Sequence, residues 1–174
     1  INLGGTTKSL HLWAGVSAGS ARTININATL DGDFNLLVRN DAPSGGVSTI
    51  VSTSGTIGGT TPLKNATFQG NTTLFANVTT TADQYYPGLL TIKGTNTTIT
   101  STNGNISAVA SIVLDSNLTV SVNSVGGSYF GDPNNPGATS ITGVGGITKS
   151  GAGELYMHST NNSYTGKTII NQGT

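Results

Sequence analysis

Leu90-Thr91-Ile92-Lys93-Gly94-Thr95-Asn96-Thr97-Thr98-Ile99-Thr100-Ser101 decides how the fold is read. Apolar residues alternate with hydroxyl-bearing, β-branched ones at 90–92 and again at 97–100. A period of two puts the apolar side chains on one face of an extended strand. Gly94 and Asn96 stand between the two runs and favour a turn there.

The same pattern extends in both directions. Strands are predicted over 10–16, 22–30, 34–38, 47–51, 73–78 and 89–92, and then over 97–100, 106–113, 118–122, 141–144, 154–157 and 168–171. Most are separated by Gly, Asn, Asp or Ser, and no apolar recurrence of helical period lasts more than about one turn. One phrase returns as Asn27-Ala28-Thr29-Leu30, Asn65-Ala66-Thr67-Phe68, Asn71-Thr72-Thr73-Leu74, Asn96-Thr97-Thr98-Ile99 and Asn117-Leu118-Thr119-Val120. Each copy puts Asn at a turn and a large apolar residue just inside a strand. The spacing varies, as in a solenoid whose coils share a cross-section while their loops differ in length.

The expected fold is all-β, a right-handed parallel β-helix (β-solenoid) with irregular coils and no long helix. A β-sandwich or barrel would also show many short strands. Three features favour the β-helix: very short strands, near absence of charge, and Asn at strand entrances, where amides can stack between coils. At ~4.8 Å per coil and roughly 20–25 residues per coil, the chain makes about seven or eight coils and a rod of about 35 Å. Residues 124–138 (SVGGSYFGDPNNPGA) read as a loop projecting from this body, and 42–46 (APSGG) as a smaller turn.

Composition narrows the function. Of 174 residues only 8% are charged, against roughly 25% in an ordinary domain. Seven basic side chains balance seven acidic ones, so no basic surface is offered to nucleic acid or an anionic membrane. With 34% hydrophobic residues in alternating runs, order is expected over disorder. No Cys is present, which excludes disulfides and thiolate metal sites and suits large bacterial exoproteins. No apolar run approaches the ~20 residues of a membrane helix, so membrane insertion by this segment is not expected. The chain opens at Ile1 without a signal peptide and stops at Thr174 within a pattern, so it is expected to be one β-helical segment, 1–174, of a longer exoprotein.

The last thirty residues are the most specific. Gly145-Gly146-Ile147-Thr148-Lys149-Ser150-Gly151-Ala152-Gly153 leads into Glu154-Leu155-Tyr156-Met157, and Asn161-Asn162-Ser163-Tyr164-Thr165-Gly166 into Lys167-Thr168-Ile169-Ile170-Asn171-Gln172-Gly173-Thr174. This closely resembles the autotransporter-associated β-strand repeat, although Ser159 stands where that repeat often has Gly. Leu155 and Met157 are expected to point inward, as are Ile147 and the strand at Ile169, with Tyr164 capping a corner beside Gly166. Upstream, 79–122 is similar to the repeats of filamentous-haemagglutinin-like exoproteins, while 1–70 matches only in style. The resemblance implies an extracellular or cell-surface passenger exported by type V secretion. It implies a structural shaft segment of a bacterial adhesin, supporting adhesion to host cells, surfaces or neighbouring cells. Two alternatives stay open: a self-assembling filament or surface-layer subunit, and a polysaccharide-binding or polysaccharide-cleaving β-helix.

Candidate chemistry is sparse, and no enzyme activity, cofactor or metal is expected. Asp31 and Asp33 are the only close pair of carboxylates, but Leu30-Asp31-Gly32-Asp33-Phe34 reads as a turn rather than as a glycosidase pair or a calcium loop. His11 and His158 lack partners at metal-ligand spacing. Sequons at Asn27, Asn65, Asn71, Asn77, Asn96, Asn105, Asn117 and Asn161 leave glycosylation open. The pairs Thr95/Thr97 and Thr98/Thr100 are similar to those of flat ice-binding solenoids, but irregular spacing argues against a regular hydroxyl lattice. The expected partner is a host or bacterial surface glycan or protein, with self-association possible. Recognition is expected in the loop, at Tyr129, Phe130 and Asp132, unless the two aromatics fold back onto the coil wall.

Overall fold

The computed structural model describes residues 8–14, 23–40, 49–52, 55–124 and 126–174. The expected turn at 42–46, and the parts of the strands predicted over 10–16, 22–30 and 47–51 that fall at 15–16, 22 and 47–48, lie outside the described residues. Within them every strand pair is parallel. Sheet A has seven strands: Ser9–Ala14, Asn35–Asn40, Asn65–Gln69, Gln84–Tyr86, Ile106–Ala108, Tyr129–Phe130 and Tyr156–Met157. Sheet B has six: Thr23–Ile26, Thr49–Ser52, Asn71–Leu74, Leu90–Ile92, Ile112–Leu114 and Ile141–Gly143. Sheet C has five: Val78–Thr80, Thr97–Ser101, Leu118–Val122, Ile147–Ser150 and Thr168–Ile170.

From Gln84 to Ser150 the chain visits A, B and C in turn, and each visit lays its strand beside the one from the previous circuit. Consecutive strands therefore belong to different sheets, which is the path of a three-faced β-helix. Seven coils along sheet A give a rod of about 30 Å at the usual strand spacing. The coils are irregular, as the uneven phrase spacing implies. Ala66 pairs with Gln84, 18 residues on, whereas Asn35 pairs with Asn65, 30 residues on. The only described helix is one 3-10 turn at Pro136–Ala138.

Two predicted strands are split by corners. The run 106–113 divides into Ile106–Ala108 on sheet A and Ile112–Leu114 on sheet B, although no Gly, Pro or Asn marks the bend. Asn71–Leu74 and Val78–Thr80 likewise flank a corner at 75–77 inside the predicted 73–78. The described faces hold strands of at most six residues, so the eight-residue run 106–113 must turn within its length.

Alternation puts one set of side chains inside. On sheet B, Leu90, Ile112 and Ile141 stack in register, and on sheet C so do Ile99 and Val120 above Val78, all fully buried. On sheet A the buried rings of Phe68 and Tyr86 stack at 5.2 Å, and Ala108 and Phe130 continue that column. Side chains also join successive coils at their corners. Asn35 Oδ1 accepts from Asn65 Nδ2 (2.7 Å), Asn65 Oδ1 from Asp83 N–H (2.9 Å), and Asp83 Oδ1 from Asn105 N–H (2.9 Å). At other corners Asn71, Asn77 and Asn117 take the N–H of Leu89, Thr98 and Gly146 in the next coil. The Asn at strand entrances thus links coils chiefly as an acceptor for backbone N–H, satisfying donors that the turning chain would otherwise leave unpaired.

Candidate functional site

Tyr129 and Phe130 belong to the coil wall. They form a strand of sheet A, paired with Ser107 and Ala108 on one side and Tyr156 and Met157 on the other. This departs from the projecting loop expected over 124–138: parallel pairing on both sides draws the two aromatics into the sheet. Phe130 points inward and is fully buried, so it is closed to any partner. Tyr129 points outward, half-buried, with its ring edge-on to His158 at 6.0 Å. His158 stacks on Tyr156 at 6.0 Å, and the Tyr156 phenol donates to Glu154 (2.8 Å), which pushes that phenol above its ordinary pKa. The outer face of sheet A thus carries three adjoining rings.

The part of the segment that leaves the wall is 131–140. Gly131 turns the chain at φ 92, a conformation that a Cβ resists, and a Cβ there would also sit 2.4 Å from Ser159 Oγ. Asp132 Oδ1 accepts the N–H of Asn134 (2.9 Å), closing a local turn. The insertion is tied to the next coil: Pro136 O accepts from Thr160 N–H (3.3 Å) and Gly137 O from Asn161 Nδ2 (3.1 Å). Beneath it, the Thr139 and Ser159 hydroxyls meet at 2.9 Å, both buried.

The acidic pair does not converge. Asp31 Oδ1 accepts the N–H groups of Thr60 (2.9 Å) and Thr61 (3.3 Å) in the next coil, which is the turn role expected of it, and Asp33 is exposed. Among the described residues no group of three His, Asp or Glu side chains could hold a metal. His11 is exposed on sheet A and lines a hollow of about 460 Å³ with Leu12, Trp13, Leu37 and Arg39.

Sheet C differs in character. Its outward residues form two columns in strict register: Thr98, Thr119 and Thr148 in one, and Thr79, Thr100, Ser121 and Ser150 in the other. Irregular sequence spacing pointed against such an array, but the extra residues lie on other parts of the coil and leave this register intact. Ile169 takes the next place above Thr148, so the Thr98 column of hydroxyls ends after three coils. Of the sheet's inward hydroxyls, Thr80, Thr97 and Ser101 donate to the carbonyls of Ala82, Gly94 and Ala82. The outward ones make no hydrogen bond within the described residues and face solvent.

In the closing repeat, Ile147 is buried and Leu155 packs on the core as expected. Met157 shares the inward column of Phe130, although it is 37% exposed. The strand at Ile169 runs the other way from expectation: Ile169 pairs with outward Thr148, and Ile170 takes the inward place opposite Lys149. Lys149 was not singled out in the sequence, though alternation from Ile147 puts it inside. Its buried ammonium donates to the carbonyls of Ser150 (2.7 Å), Gly151 (2.7 Å) and Gln172 (3.2 Å), and desolvation lowers its pKa. Tyr164 packs on the core and its phenol meets the Thr168 hydroxyl at 2.6 Å. Beside it, a Cβ on Gly166 would lie 2.3 Å from the carbonyl carbon of Gly145, so two backbones touch at this corner.

A three-faced parallel β-helix is the class that this fold defines. Residues 147–174 match the family model of the passenger-associated-transport-repeat, so the closing coil carries a repeat of the kind found in autotransporter passengers. The repeat is a structural one, and it implies a secreted or surface-exposed protein. No curated protein and no solved structure matches the chain.

Proposed function

We propose that the chain is a shaft segment of a bacterial surface adhesin, holding recognition groups away from the cell on a stiff rod. The observation that carries this is the join between the passenger repeat and the rest of the rod. The strands of 147–174 continue sheets A and C in register with the coils below. A continuous column of hydrogen bonds and packed side chains transmits load without a hinge, as a shaft requires. The low charge and lack of Cys suit export and refolding outside a cell. Tyr129, with Tyr156 and His158, gives the face of sheet A an aromatic patch suited to a sugar ring or a protein contact, and Asp132 follows Tyr129 three residues on, in the turn that leaves the wall.

Beads coated with the purified chain test the reading. They are expected to attach to bacterial or host cell layers more than albumin-coated beads do, and Tyr129→Ala/Tyr156→Ala is expected to reduce attachment with an unchanged melting temperature. Attachment no better than albumin across these surfaces would overturn the adhesive role. Clumping of the coated beads with each other alone would favour the self-assembling filament.

A further inference from the structure

We infer that the outer face of sheet C holds a binding site for a carboxylate-bearing saccharide, built where the closing repeat meets the coils below it. This rests on the adhesin reading and names one ligand class for it. The site is a hollow of about 350 Å³ lined by Asn96, Asn117, Thr119, Gly146, Thr148, Lys167 and Ile169, at the small end of the range for ligand sites.

The register explains why a hollow forms there. Thr98, Thr119, Thr148 and Ile169 pair in sequence along the sheet. The residues two places before them, Asn96, Asn117, Gly146 and Lys167, form a parallel column at the corner. Asn96, Asn117 and Lys167 carry polar side chains at this rim, while Gly146 carries none, so the hollow is floored by backbone there with Thr148 beside it. Only Gly fits at 146, because a Cβ there would sit 2.4 Å from the Lys167 carbonyl oxygen of the next coil. The walls are also held in place. Asn117 Oδ1 accepts the Gly146 N–H (2.8 Å), and the Ile147 N–H donates to the Lys167 carbonyl (2.9 Å). Asn96 is the one described residue other than Gly at positive φ, 53, which turns the chain at the rim.

The lining fits a sugar acid. Two Asn amides and two Thr hydroxyls both donate and accept, which matches the mixed demand of sugar hydroxyls. Apart from Asn117 Oδ1, none of these side-chain groups is engaged by a protein partner in the described structure. Ile169, 43% exposed, offers an apolar surface for the C–H face of a pyranose ring. Lys167 is the only charged group of the lining, and no carboxylate of the described residues lines the hollow with it. An ammonium without a counter-charge beside neutral hydrogen-bonding groups selects a carboxylate, and that bond is the stronger, charge-assisted kind.

The test uses the whole chain and isothermal titration with a galacturonate trisaccharide and a sialyl trisaccharide, each beside its neutral methyl ester. At least one acid is expected to bind, with its ester at least tenfold weaker, and raised salt is expected to narrow that gap. Lys167→Gln is expected to abolish the preference for acid over ester, and Thr148→Val to weaken both forms together. Both side chains point outward, so melting temperatures are expected to stay unchanged. Equal binding of acid and ester, retention of the preference in Lys167→Gln, or no binding of either sugar would overturn the site. Bead attachment in the face of any of those results would leave the adhesin reading standing, so the two failures are distinguishable.

Discussion

Gln84 occupies a place that its neighbours give to apolar side chains. It lies in the inward column of sheet A between Ala66 and Ile106, fully buried. Its amide is fully engaged: Nε2 donates to Thr100 O (2.7 Å), Val78 O (3.2 Å) and Thr80 Oγ1 (3.3 Å), and Oε1 accepts the Tyr86 phenol (2.8 Å). The amide therefore ties sheet A to sheet C across the interior. Because each partner would be left unsatisfied without the other, Tyr86→Phe or Gln84→Leu alone is expected to cost about 1–3 kcal/mol. The double variant is expected to cost less than the sum, a coupling that urea denaturation of the four proteins measures. Burial also pushes the Tyr86 phenol well above its usual value. The folded chain then keeps a proton that the unfolded chain releases, so this stabilisation is complete below a pH of about 10 and declines as the pH rises beyond it. Tyr86→Phe is expected to lose less stability than the wild type between about pH 9 and 11.

At the scale of the element, alternation was legible at some strands with a turn residue on each side, but Gln84–Tyr86, between Asp83 and Pro87, is not among the predicted strands. The strands predicted at 97–100 and 118–122 fall within Thr97–Ser101 and Leu118–Val122. Corners without Gly, Pro or Asn were not legible, as at 109–111, because no residue of strong turn preference marks the bend between the two strands. Tyr129–Phe130 was hidden for the opposite reason, since the Gly and Pro around it spell a loop while pairing on both sides makes it wall. The hydroxyl face of sheet C and its corner hollow depend on register between residues 21 and 29 apart, which no single stretch displays. Lys149 shows what the closing strand depends on. Its ammonium gathers carbonyls from its own turn and from Gln172, joining both ends of the repeat. Lys149→Ala strips those carbonyls of their donor, at a local cost of about 2–3 kcal/mol for charge-assisted bonds. The Asn171 N–H, which donates to the Lys149 carbonyl, is expected to exchange with solvent roughly thirtyfold faster or more. Unchanged exchange would show that the strand is held without the lysine.

Over the whole molecule, a solenoid separates the residues that set its cross-section from those that only lengthen its path. Each coil contacts the coils above and below, so an insertion at a corner is tolerated when its two ends leave the strand register unchanged. The segment 131–140 is such an insertion. Ile112 pairs with Ile141, 29 residues on, whereas Leu90 in the coil below pairs with Ile112, 22 residues on, and both pairs lie in the same sheet. Deleting 132–138 shortens the longer step to 22 residues and makes this coil the length of its neighbour. The deletion removes the bonds from Thr160 and Asn161 to Pro136 and Gly137 and the long bond (3.4 Å) from the Thr139 hydroxyl to Pro136, and keeps Thr139 beside Ser159. Bonds this long or this exposed contribute little, so the shortened chain is expected to keep its β-sheet circular dichroism and to melt within a few degrees of the parent. It is also expected to retain saccharide binding on sheet C, which the deletion does not touch. Loss of cooperative melting would show that the insertion is a structural part of its coil, and loss of bead attachment with melting intact would place recognition at Asp132 and its turn.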